Sequence, residues 1–154
     1  MAIKPQFHSL ALAEITEPDF ADVIVGILPP GASLDPRVWA ETIFGIAGAP
    51  RWVRAALRLR QLLAPLIGVR RASNIVFAVK QIEGEEALIF APDSHLDFAC
   101  GIGVDAAARL VRVTTAVRLH GWRGRLYFAP VSLLHPMVVQ SMLKRASRTL
   151  GTAA

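Results

Sequence analysis

Five stretches of the chain are rich in apolar residues that either alternate with period two or occupy both faces, and both patterns are typical of β-strands. The predicted strands cover residues 20–28, 75–82, 86–91, 95–104 and 109–120. The sequence Glu83-Gly84-Glu85 separates the second and third strands and favours a hairpin turn. Residues 1–19 show neither period and are expected to be irregular. The pattern therefore predicts one early strand and a later meander of four.

Helical spacing of apolar residues predicts the remaining elements. A first helix is expected over residues 36–47 and a second over 50–67, and the final segment, 123–150, should be mostly helical. Pro130 and Pro136 lie inside that final segment and are expected to kink it or split it in two. The order strand, helix, helix, meander and helix predicts an α+β fold of the helix-grip type, in which an antiparallel sheet wraps around a long C-terminal helix.

Strand alternation sorts the large apolar side chains into rows that should face this helix. The predicted rows contain Ile75, Phe77, Val79, Leu88, Phe90, Leu96, Phe98, Cys100, Ile102, Val104, Val111, Val113, Thr115, Val117 and Leu119. They either fill a core or line an internal pocket of roughly a few hundred cubic ångströms. Thr115 and Cys100 interrupt the rows and are natural contacts for the polar end of a ligand.

The opposite face of the last two strands carries the polar residues His95, Asp97, Arg112, Arg118 and His120. We expect Asp97 to form a salt bridge or hydrogen bond with one of the two arginines or with His120. Such a group is either a cross-strand ladder or an acid–base pair. Ala99, Gly101 and Gly103 lack bulk on this face, so a subunit or the terminal helix could approach it closely.

His135 lies in an apolar segment immediately before Pro136. It is either a hydrogen-bonded core histidine or a polar group at the mouth of a pocket, where an imidazole can donate or accept. The four histidines lack metal-ligand spacing, so no metal is expected. The sequence also lacks a dinucleotide-binding fingerprint and a nucleophile elbow, and no cofactor is expected.

Length, cysteine content and charge restrict the classes of protein to which this chain can belong. The 154 residues predict a single domain, 1–154, with its core at about 19–150. One cysteine, Cys100, excludes an internal disulfide and suggests a reducing compartment, the cytoplasm. The uncharged run 126–143 is interrupted by prolines and is interpreted as buried, so no membrane span is expected. The net charge is +5, but the basic residues are scattered and no nucleic acid is expected as a partner.

Several short segments carry a resemblance to a known family. They are Pro50-Arg-Trp-Val53, His95-Leu-Asp-Phe98, Val113-Thr-Thr-Ala-Val117, Gly124-Arg-Leu-Tyr127 and Leu134-His135-Pro136. In this order they resemble an uncharacterised bacterial domain-of-unknown-function family, which is similar to START-like and polyketide-cyclase-like (SRPBCC) helix-grip proteins. The resemblance covers about residues 19–148 and implies the fold, but no established activity. The chain departs from it at Leu133-Leu134, where members often carry Pro-Phe, and at His120-Gly121, where they often carry His-Asn.

Three hypotheses about function follow. The first is the binding of a small apolar or amphipathic molecule between the sheet and the C-terminal helix. The second is an enzyme of the cyclase or isomerase kind that uses His135 or the Asp97–His120 group. The third is an interaction module whose apolar excess is buried in a homodimer. The candidate ligand-binding residues are Phe77, Phe90, Phe98, Cys100, Val113, Thr115, Val117, Tyr127 and His135.

Overall fold

The computed structural model of the chain describes residues 7–45 and 78–151, together with residues 51, 54, 55, 58, 62 and 64–67 between them. Its strands are β1 (Phe20–Ile27), β2 (Val79–Glu83), β3 (Glu86–Pro92), β4 (Leu96–Asp105) and β5 (Leu110–Leu119). Its helices are α1 (Leu10–Glu14), α2 (Pro36–Phe44) and α3 (Gly121–Gly151), and a 3₁₀ turn covers Ala64–Ile67. The predicted α+β class, with an antiparallel sheet and a long C-terminal helix, is confirmed.

The five strands form one antiparallel sheet in the order β1-β5-β4-β3-β2. The later four strands form a meander because short turns connect each strand to the next. Gly84 makes the β2–β3 turn with a φ of 56°, a conformation that a residue without a Cβ adopts at little cost. The early strand β1 then pairs with β5, so the two ends of the described sheet are β1 and β2.

The long helix α3 packs against β1 and β5 and lies beside α2. Val139 and Leu143 bury their side chains in the core there, and Gly26 of β1 makes room for Leu143. Arg145 fastens α3 to α2, because its guanidinium donates to the carbonyl oxygens of Thr42 and Gly45 at 2.8 and 3.2 Å. These carbonyls belong to the C-terminal end of α2, where helix carbonyls lack partners within the helix.

On the other face of the sheet, α1 packs against β3, β4 and β5, in a segment where irregular structure was predicted. Ser9 caps this helix by accepting a hydrogen bond from the backbone N–H of Ala11 at 3.2 Å. Ala11 packs with Leu88 and Ala99 in a second, smaller core. The prediction for residues 1–19 is therefore wrong over α1, because a five-residue helix is too short to produce a recognisable period. Helix α1 is thus the element that packs against the small residues of β4, and the terminal helix α3 lies on the opposite face of the sheet.

The helix α3 continues through Pro130 and Pro136, so of the two predicted outcomes the split is wrong, and the kink stays a prediction. Each proline removes one backbone hydrogen bond, but packing of α3 along the sheet supplies a tertiary constraint that the sequence pattern does not contain. The helix begins at Gly121, two residues before the predicted start at residue 123. The predicted start of the second strand at 75–77 and most of the predicted helix 50–67 lie outside the described residues.

Candidate functional site

Three polar side chains form a row across the helix-facing side of the sheet. The antiparallel register places Asp22 of β1 opposite Thr115 of β5, and Thr115 opposite Cys100 of β4. Their flanking neighbours on the same face are apolar, since Ile24 and Val113 belong to the main core. The row is therefore a polar strip within an otherwise apolar interface between the sheet and α3.

His135 projects from α3 onto this strip. Its Nε2 atom is 3.1 Å from the Thr115 hydroxyl oxygen and 3.5 Å from a carboxylate oxygen of Asp22. The Phe20 ring stands edge-on to the imidazole, with the ring centres 5.6 Å apart, and Phe128 lies against Phe20. The carboxylate beside Nε2 favours the tautomer with its proton on that nitrogen, which then donates to Thr115. Two aromatic rings thus fix an imidazole directly over the strip.

The Asp22 carboxylate differs from most buried polar groups in its lack of a hydrogen-bond partner among the described residues. Both of its oxygens are buried, and neither accepts a hydrogen bond from any residue that the structure describes. The 3.5 Å separation from His135 allows electrostatic attraction but is long for a hydrogen bond. Buried polar groups are normally paired, because leaving one unpaired costs roughly 1–3 kcal/mol and more for a charged group. A carboxylate that lacks a hydrogen-bond donor among the described residues and lies beside a histidine makes this strip the candidate binding site.

Cys100 lies at the far end of the strip. It is fully buried, and this burial raises the pKa of its thiol well above the ordinary value near 9. A hydrogen bond with Thr115 opposes the shift, while the nearby carboxylates of Asp22 and Glu86 add to it. The thiol is accordingly held neutral and is no nucleophile in the folded protein.

The raised pKa of the Cys100 thiol predicts a loss of stability in alkali. Above about pH 9 the unfolded chain releases the thiol proton and the folded chain keeps it, so the free energy of unfolding falls as the pH rises. The expected slope is about 1.4 kcal/mol per pH unit. Urea unfolding at pH 8 and pH 10 measures this fall in the free energy of unfolding. In Cys100→Ala, the part of the fall that comes from the thiol should be absent. An equal decline in both proteins would show that Cys100 ionises without unfolding.

Most of the predicted ligand-binding residues lie on the helix-facing side of the sheet. Val113 and Phe98 pack in the main core, and Val117 is buried opposite Phe20 and Phe98 in the strand register. Tyr127 lies half-buried in α3. Phe77 lies outside the described residues. Whether these residues bind a ligand stays a prediction.

Phe90 and Leu88 were predicted to face the C-terminal helix, and this assignment is wrong. Both pack against α1 on the opposite side of the sheet, whereas Ala87 and Ile89 belong to the main core, on the side of α2 and α3. The reason is that residues 87–90 of β3 are apolar on both faces, so alternation does not distinguish the two sides. Phe90 therefore lies on the other side of the sheet from His135.

The Asp97–His120 pair forms as predicted. The His120 Nε2 atom lies 3.0 Å from an Asp97 carboxylate oxygen, and both side chains are partly exposed, where β4 begins and β5 ends. The pair lies on the side of the sheet away from α3, so it is separate from the strip under His135. Because both side chains are partly exposed to solvent, the contact typically contributes only about 0–1 kcal/mol.

Asp22 was missed by sequence reasoning, although one signal was present. Asp22 precedes Ile24 and Gly26 by two and four residues within a predicted strand, so it shares their face. Both faces of that strand are apolar, and the pattern alone does not tell which of them α3 covers. Only the pairing of β1 with β5 brings Asp22 beside Thr115.

Comparison with known proteins identifies the family. A family model described as "Protein of unknown function (DUF2867)" matches residues 15–142. The chain belongs to this family. No curated protein and no solved structure matches the chain. The matched range includes Asp22, Cys100, Thr115 and His135, so the whole strip lies within the family domain.

Proposed function

We propose that this protein of the DUF2867 family binds a small amphipathic molecule between the sheet and α3. The polar end of the molecule would bind at Asp22, Thr115 and His135, and its apolar body would lie along the neighbouring apolar rows. The observation that carries the proposal is the buried Asp22 carboxylate, which accepts no hydrogen bond from any described residue. The resemblance of the sequence to START-like helix-grip proteins supports the same location for a ligand.

The chemistry of the strip selects the polar end of the ligand. An unpaired carboxylate needs a donor, so a hydroxyl, phenol or ammonium group would be stabilised there. A ligand carboxylate would instead meet the Asp22 oxygens and be repelled by them. The preferred ligand is therefore an apolar alcohol, phenol or amine, held by a charge-assisted hydrogen bond to Asp22 and oriented by Thr115 and His135.

A matched ligand series tests this selection. Calorimetric titration with 2-naphthol, 2-naphthylmethylamine and 2-naphthoic acid varies the polar group on a constant aromatic body. We expect the phenol and the amine to bind at least about tenfold more tightly than the acid, a difference of about 1.4 kcal/mol. Equal affinity for all three, or tightest binding of the acid, would contradict the assignment of Asp22 as the acceptor.

The role of His135 is tested by a pair of histidine variants. His135→Ala should lower the affinity for 2-naphthol about tenfold, because it removes a hydrogen-bonding group beside the ligand, and should cost only about 1 kcal/mol of stability. His8→Ala is the control, since His8 is exposed, and should change neither quantity. A large fall in melting temperature with unchanged affinity would make His135 a structural residue.

A second candidate function is proton transfer by an enzyme of the cyclase or isomerase kind. The observation that favours it is the imidazole nitrogen within 3.5 Å of the Asp22 carboxylate. A histidine next to a carboxylate can move a proton to or from a bound molecule. Under this hypothesis, His135→Gln would retain binding and lose turnover, whereas a binding protein would show no turnover to lose.

A further inference from the structure

The outer side of α3 carries a stripe of large apolar side chains that no described part of the protein covers. Trp122, Leu126, Leu133 and Met137 are 66%, 54%, 78% and 59% exposed. They are four, seven and four residues apart, so they lie on one side of the helix. The opposite side is the one that packs on the sheet, as the buried Val139 shows. The stripe is about 20 Å long at 1.5 Å per residue.

Basic residues bound the stripe at both ends. Arg123 and Arg125 lie at its start and Lys144 and Arg148 follow its end, and α3 contains no acidic residue. Arg123 lies over the Trp122 ring at 5.4 Å, which places a cation and an aromatic ring together at one end. Arg125 makes a long, exposed contact of 4.0 Å with Asp19. An apolar stripe between cationic ends is complementary to a surface that has negative charge above an apolar interior.

We infer that α3 docks this protein onto an anionic lipid surface, with the helix lying in the plane of the membrane interface. Among the described residues, α3 is the one helix long and apolar enough to cross a membrane by length and composition, and 22% of its most apolar window is buried. Its inner side packs against β1 and β5, so crossing the membrane would require α3 to leave the sheet. Interfacial docking uses only the exposed side.

A second copy of the chain fits this surface less well. Two α3 helices packed face to face would bring cationic ends together in either orientation, because neither copy supplies an acidic residue from α3. Anionic headgroups instead neutralise these ends, and the acyl region accepts Leu133 and Met137. Each basic residue near an anionic membrane strengthens binding by about fivefold.

Vesicle flotation of the full chain tests the inference. Wild-type protein is mixed with vesicles of phosphatidylcholine and phosphatidylglycerol in equal parts, and with vesicles of phosphatidylcholine alone. We expect binding to the mixed vesicles at 0.1 M NaCl and a marked loss at 0.5 M NaCl, since salt screens the headgroup attraction. Absence of binding to the mixed vesicles, or equal binding to both kinds, would overturn the inference.

Two variants locate the binding surface. Leu133→Glu should lower the partition coefficient onto the mixed vesicles at least about tenfold, whereas Ile27→Glu, the control, should change it less than about twofold. Ile27 is 74% exposed on the face of β1 that points away from α3, and its replacement likewise exchanges an exposed apolar side chain for glutamate. Replacing Arg123 and Lys144 together by alanine should lower the coefficient about 25-fold.

Melting temperatures and sedimentation of the free proteins complete the test. A melting temperature near that of the wild type shows that the loss of binding by Leu133→Glu is not unfolding. If Leu133→Glu and Ile27→Glu lose binding equally, the surface is not α3 and the inference fails. If the wild type is a dimer that Leu133→Glu dissociates, the stripe is an interface between copies and the lipid proposal is wrong. The outcome is independent of ligand binding at Asp22.

Discussion

Replacing Asp22 by asparagine is expected to stabilise the protein and weaken ligand binding at the same time. The substitution keeps the shape of the side chain and removes a buried charge whose oxygens have no hydrogen-bond partner among the described residues. We expect the free energy of unfolding to rise by about 1–2 kcal/mol, which corresponds to roughly 2–8 °C in melting temperature. The affinity for 2-naphthol should fall between about tenfold and 100-fold, because a charge-assisted hydrogen bond is lost.

Opposite signs for stability and affinity distinguish a functional residue from a structural one. Asp97→Asn is the matched control, since Asp97 has a partner in His120 and lies away from the strip. It should lower stability by at most about 1 kcal/mol and leave the affinity unchanged. If Asp22→Asn instead lowers stability, the carboxylate has a stabilising partner in the free protein, and the assignment of Asp22 as a ligand acceptor loses its basis.

Gly124→Ala is expected to destabilise the fold, although helix propensity alone predicts the opposite. Alanine is favoured over glycine inside a helix by about 1 kcal/mol. At this position, however, an added Cβ would clash with the backbone carbonyl oxygen of His95, and backbone cannot move aside as a side chain can. We expect a net loss of about 1–3 kcal/mol, as found for overpacked sites.

Urea unfolding measures this loss. Arg125→Ala provides the control, because Arg125 is the next residue of α3 and is largely exposed, and it should change stability by less than about 0.5 kcal/mol. An increase in stability for Gly124→Ala would show that the first turn of α3 does not lie tightly against His95, the residue before β4. In that case the placement of α3 over the sheet, on which the site depends, would need revision.

The parts of the fold that the sequence predicts are those with a long and unambiguous period. β4 alternates cleanly from Leu96 to Val104, so its core face and the exposed pairing of Asp97 follow from the sequence. Phe90 was assigned to the wrong face because β3 is apolar on both sides. In such a strand, alternation does not show which residues face α3. Pro130 and Pro136 were expected to kink or split α3, and the helix is not split there, because its packing against the sheet is a tertiary effect that the sequence pattern does not contain.

Only part of the candidate site could be predicted from the sequence, for a similar reason. Thr115 and His135 stand out within apolar segments, and the structure brings them to 3.1 Å. Asp22 completes the site from a strand about 90 residues earlier, and its position depends on which strand β1 pairs with. Sequence alternation fixes the face that a residue shares with its neighbours, but not the partner strand. Long-range pairing is thus the step that composition and periodicity do not supply.

A crystal structure of the protein with 2-naphthol bound is the most direct test of the proposed site. We predict that the hydroxyl group of the compound donates a hydrogen bond to the Asp22 carboxylate, close to Thr115 and His135, with the naphthyl rings between the sheet and α3. A compound bound instead at the Asp97–His120 pair or elsewhere on the surface, with Asp22 still lacking a donor, would contradict the proposed site.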